Sequence, residues 1–76
     1  MDSLEQYLLD QLQEKFGGQP ALTDSLLMMG VDSVGMAELT FEIEKEFGIR
    51  VDDEVLSVDT VADLAHYIRS RQATSA

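Results

Sequence analysis

Seventy-six residues carrying 15 acidic against 5 basic side chains give a net charge of −10, with 45% hydrophobic residues and no cysteine. A chain this short builds one core and no large catalytic cleft, has no disulfide to staple it, and with His66 as its one imidazole cannot assemble a cysteine- or histidine-based metal centre. Its charge repels phosphates, so duplex DNA, RNA and anionic membranes are disfavoured as partners, while its apolar content is that of a chain that folds.

The first residues, Met1 to Glu5, form neither a basic nor an apolar leader, so a soluble cytoplasmic protein is expected. Leu4, Leu8, Leu12 and Phe16, with Tyr7 beside Leu8, share one face of a first helix. Asp2 or Ser3 can cap it, and Gly17-Gly18 followed by Pro20 ends it. Residues 17–31 read as a long connection whose apolar patch, Leu26, Leu27, Met28 and Met29, should dock on the core, the methionines filling gaps. A second helix starts near Asp32. At about 100° per residue, Leu39, Ile43, Met36, Phe47 and Thr40 form its core stripe, and Val34 and Phe41 fall on the opposite side. Gly48 caps its end.

Asp52, Asp53 and Glu54 suit the first turn of a short third helix holding Val55 and Leu56. Thr60 with Asp63 reads as a capping box for a last helix, in which Val61, Leu64, Ala65 and Ile68 repeat at core spacing and His66 and Tyr67 fall at the edge. Alternating strand patterns are absent. The expectation is an all-α fold: a small four-helix bundle with a short third helix and a long loop between helices one and two. The domain should span residues 1–71, leaving 72–76 as a disordered tail.

The acidic excess is local. Residues 1–31 carry a net −4, residues 32–63 a net −8, and residues 64–76 a net +2. Calcium loops starting at Asp32 or Asp52 put apolar residues at ligand positions, so neither is an EF-hand and no metal site is assigned. What distinguishes the acidic stretch is Gly30-Val31-Asp32-Ser33-Val34 at its start. Gly30 permits a sharp turn, Asp32 is a good N-cap, and Ser33 then falls at the first exposed position of a helix. A hydroxyl there projects from the core, beside a positive helix end that accommodates a phosphate. Read alone, Ser33 could also be a simple cap.

Gly30-Val31-Asp32-Ser33-Val34 resembles the Gly-x-Asp-Ser-Leu segment of acyl carrier proteins. The resemblance continues through Glu38-Leu39 and the acidic run to Glu46-Phe47-Gly48-Ile49, and on through Thr60 to Ile68. Val34 stands for the usual Leu, Gly35 occupies an often acidic position, Lys45 interrupts the acidic run, and Met28-Met29 replaces a common acid-Leu pair. The resemblance implies a carrier rather than an enzyme, with 4′-phosphopantetheine from coenzyme A on Ser33, flanked by Gly30 and Asp32. Acyl intermediates would ride the arm as thioesters between enzymes of fatty-acid or polyketide-type synthesis.

It also implies a monomer that meets a phosphopantetheinyl transferase and acyl-loading, condensing or acyltransferase enzymes with basic docking patches. Val34, Ala37, Glu38 and Phe41 would face those partners, with Asp32, Glu38, Glu42 and Glu44 steering them. Phe41 could alternatively pack beneath the third helix. Two other readings stand beside this one: a peptidyl or aminoacyl carrier for nonribosomal assembly, and an unmodified acidic adaptor.

Overall fold

Apolar side chains recurring every three or four residues produce three α-helices in the computed structural model, which describes residues 3–74. Helix α1, Ser3–Phe16, buries Leu4, Leu8 and Leu12. Ser3 is its first helical residue; the other expected cap, Asp2, lies outside the described residues. Its last turn closes where the Gly17 N–H donates to the Gln13 carbonyl at 2.8 Å. Gly17 and Gly18 then take φ of 81° and 74°, the left-handed region that glycine enters without steric cost.

Helix α2, Ser33–Phe47, buries Gly35, Met36, Leu39 and Ile43. Phe47 is only half-buried and meets the Tyr7 ring edge to face, with centroids 5.2 Å apart and planes at 84°. Such pairs add about 0.5–1.5 kcal/mol beyond their burial. Gly48, at φ 65°, ends the helix with its N–H donating to the Glu44 carbonyl.

The expected short third helix is a five-residue 3-10 segment, Asp53–Ser57, so the architecture is three α-helices plus a helical turn. Five residues are too few for the cooperative ladder an α-helix needs. The Asp52 carboxylate instead caps the turn by accepting from the Glu54 N–H, and Val55 is its buried anchor. Leu56 faces outward, 66% exposed.

Helix α3, Val61–Thr74, opens with the expected capping box: Thr60 N–H donates to the Asp63 carboxylate and Asp63 N–H to the Thr60 hydroxyl. Val61, Leu64, Ala65 and Ile68 are fully buried. The helix continues through residues 72–74, into the stretch read as tail; residues 75–76 lie outside the described residues. Tyr67 is buried, not at the edge. Its hydroxyl donates to the Asp52 carboxylate at 2.7 Å and accepts from the Asp52 N–H at 3.0 Å, tying the 3-10 segment to α3. Arg71 completes the clasp, donating to Asp52 at 2.6 Å and to Glu54 at 3.3 Å. Tyr67's hydrogen bond, helped by the Glu54 N–H and the Arg71 charge, holds the Asp52 carboxyl below its ordinary range.

The long connection is pinned to the start of α3. Leu26 N–H donates to the Asp59 carbonyl, Val61 N–H to Asp24, and Ala62 N–H to Leu22, at 2.8, 3.2 and 2.9 Å. Ser25 and Thr60 form an isolated antiparallel pairing there, and no strand occurs among the described residues. Only half of the apolar loop patch docks. Leu26 is buried and Met29 packs against the core, while Leu27 and Met28 are 79% and 85% exposed. The tight turn explains this: Met29 N–H reaches back to Ser25 and Leu26, and Gly30 N–H to Leu27, so Leu26 and Met29, one turn apart, face the core while Leu27 and Met28 face away.

Candidate functional site

That turn delivers the chain to α2. Gly30, at φ 91°, reverses the backbone, and Val31 is driven into the core with its N–H donating to the Leu26 carbonyl at 3.1 Å. Asp32 is extended, φ −97° and ψ −171°, and its carboxylate accepts from the Gly35 N–H at 2.8 Å while its carbonyl accepts from Met36 N–H. Asp32 therefore takes the N-cap, leaving Ser33 as the first, exposed residue of α2. Among the described residues the Ser33 hydroxyl has no hydrogen-bond partner, and it faces an open groove of about 650 Å³. The groove's apolar walls include Leu26, Val31 and Met36 from below, with exposed Leu27 and Leu56 on its lips.

The candidate residues on α2 divide into two groups. Val34 and Phe41 are 67% and 61% exposed, and Ala37 and Glu38 are exposed between them, so these four form one outward stripe. Phe41 does not pack beneath another helix. Glu42 and Glu44 are half-buried and engaged within the chain. Glu42 accepts from Lys15 Nζ at 3.3 Å, and Glu44 accepts from the Val51 N–H at 2.8 Å, satisfying the backbone after the helix ends. Glu44 thus also serves the chain's own backbone. Partial burial, with the Glu46 and Glu42 carboxylates nearby, holds the Tyr7 phenol above its ordinary range in the adjoining α1–α2 groove.

Several residues were named from the sequence but given no part in the site. Lys45 places Nζ 5.9 Å from the Phe41 ring centroid, an arrangement that i, i+4 spacing on one helix could have signalled. Gly35 lies under Phe16: a Cβ there would meet the Phe16 ring at 2.8 Å. A lone glycine in a helical pattern is the signal of such a close approach. Leu27 and Leu56 are brought to one groove only by the tertiary fold, and no local pattern announces that.

Comparison with known proteins places the chain in a family. A family model described as "Phosphopantetheine attachment site" matches residues 6–68. The acyl carrier proteins of Rickettsia typhi and Rickettsia prowazekii are each 36% identical over 77 residues, covering 95% of this chain and 90% of each relative. A crystal structure of an acyl carrier protein from Thermotoga maritima shares the fold, with a TM-score of 0.76 over 93% of both chains at 20% identity. With its three helices, its Asp-capped serine and these relatives, the chain belongs to the acyl carrier proteins, which bear phosphopantetheine and are carriers, not enzymes.

Proposed function

We propose that Ser33 is the attachment point of the 4′-phosphopantetheine arm. The observation that carries this is the free Ser33 hydroxyl on the first residue of α2, with Asp32 occupied as the cap. The local chemistry fits the group. Ser33 Oγ is exposed and uncommitted, and the Ser33 and Val34 N–H groups precede the helix ladder, at the end that favours a phosphate. Asp32 holds the first turn in register, and Gly30 allows the loop to arrive there without a Cβ in the left-handed region. When bound, the arm supplies a terminal thiol that holds an acyl group as a thioester.

The protein's part is presentation. In a phosphopantetheinyl transferase, Ser33 Oγ would lose its proton and attack the pantetheine-bearing phosphate of coenzyme A, breaking the pyrophosphate bond and releasing adenosine 3′,5′-bisphosphate. Acyl-loading, condensing or acyltransferase enzymes would then meet the stripe Val34, Ala37, Glu38 and Phe41. An exposed apolar residue ringed by charge suits contacts that form quickly and release. The reading includes a cytoplasmic monomer serving fatty-acid or polyketide-type synthesis; the strong net charge, which opposes self-association, supports it.

Protein purified from its own cells tests the assignment. Tandem mass spectrometry should find the arm on the Ser33 peptide, carrying an acyl thioester. An aminoacyl group would instead favour the nonribosomal alternative, and an unmodified Ser33 with the arm elsewhere would refute the assignment.

A further inference from the structure

The exposed stripe of α2 carries both signs of charge. Val34, Glu38, Phe41 and Lys45 recur at i, i+4, i+7 and i+11, the spacing that keeps residues on one helix face. Glu38 and Lys45 are seven residues apart, about 10 Å along the axis, with exposed Phe41 between them. Lys45 sits in an acidic run with Glu42, Glu44 and Glu46 as near neighbours, yet among the described residues no carboxylate pairs with it. Glu42 is taken by Lys15 and Glu44 by the Val51 N–H. The Lys45 ammonium rests instead toward the Phe41 ring. Glu38 is likewise in no ion pair among the described residues, and it flanks the other side of Phe41 in a shallow groove shared with Ala37 and Lys15.

We propose that Phe41, Glu38 and Lys45 form an oriented docking site for a protein partner of matching two-signed chemistry. Such a partner presents an apolar pocket for Phe41, a basic side chain on the Ser33-proximal side facing Glu38, and a carboxylate on the distal side facing Lys45. A uniformly basic partner surface satisfies Glu38 but places a like charge against Lys45. Opposite signs at the two ends fix which way round the partner lies, and therefore on which side of the contact Ser33 falls. This inference rests on the carrier reading and names the partner chemistry that reading leaves open.

The test uses the full-length holo-protein and a malonyl-coenzyme A-dependent carrier transacylase with an all-basic docking surface, assayed by malonyl transfer at low ionic strength. The same enzyme is also assayed with each surface Lys or Arg replaced by Glu, one at a time. With the unaltered enzyme, Lys45→Glu should raise kcat/KM about threefold to fivefold, the size of an exposed charge pair, and Glu38→Lys should lower it similarly. One reversal in the enzyme should favour wild type over Lys45→Glu by a like factor. Phe41→Ala should lower the rate with every enzyme. Rates for wild type and Lys45→Glu within about twofold across the whole set would overturn the proposal. Loading of Ser33 is read separately by intact mass, so failure of the carrier reading, seen as no added group on any variant, is distinct from failure of the docking site. Thermal melts of each variant identify any rate change that comes from unfolding.

Discussion

At Asp32 one carboxylate decides how Ser33 is displayed. Because it accepts from the Gly35 N–H, the serine is not needed as a cap and its hydroxyl stays open. Asp32→Ala should lower the unfolding free energy by about 1 kcal/mol in urea denaturation, and Asp32→Asn should recover most of it, since an asparagine oxygen caps as well. Gly35 gives a second residue-level prediction. Gly→Ala in a helix ordinarily gains about 0.5–1 kcal/mol, but a Cβ at Gly35 runs into the Phe16 ring. Gly35→Ala should therefore gain nothing in wild type and regain its helical advantage in a Phe16→Ala background, a coupling that a double-mutant cycle measures.

At the scale of elements, the clasp of Tyr67, Arg71 and Asp52 holds the 3-10 segment whose Leu56 borders the Ser33 groove. The Asp52 carboxyl is held below its ordinary range in the fold, so its contribution is present above its unfolded-state pKa and is lost as pH falls through the lower folded value. Tyr67→Phe removes the main cause of that shift. Wild type should thus be more stable than Tyr67→Phe at pH 7, with the gap closing below about pH 4, as urea midpoints across that range would show. The helices around this clasp were legible in the sequence because their signals are local: core spacing, Gly48, and the Thr60–Asp63 box. The clasp was not, because it joins residues 15 to 19 positions apart, and Tyr67 carries no mark distinguishing a buried phenol from an edge one. For the same reason Asp53–Ser57 read as a helix. Its acids and apolar pair fit a first turn, but whether a second turn follows depends on the chain's need to reach α3.

For the whole molecule, a net −10 on 76 residues makes self-repulsion a standing cost, greatest between residues 32 and 63. Raising NaCl from about 0.01 M to about 0.2 M shortens the screening length from roughly 30 Å to under 10 Å and should raise the melting temperature in a calorimetric scan. The core is small enough that one residue matters. Leu39 is fully buried, and Leu39→Ala should cost about 2–5 kcal/mol, a large share of what a domain this size has. The geometry of the candidate site was legible to a similar degree as the helices. Gly30, Asp32 and Ser33 fall within four consecutive residues, so their arrangement follows from local backbone preferences, and the outward stripe follows from helix period. Glu44 shows where this ends: nothing in an acidic run tells which acid the fold will bring to the Val51 N–H.

All of this converges on one atom, Ser33 Oγ, and intact-protein mass spectrometry addresses it directly. Wild type and Ser33→Ala are incubated with coenzyme A, Mg²⁺ and a broad-specificity phosphopantetheinyl transferase. Wild type should gain a single phosphopantetheinyl group, and Ser33→Ala, equally folded by circular dichroism, should gain none. An unmodified wild type, or the same mass gain in Ser33→Ala, would contradict the account.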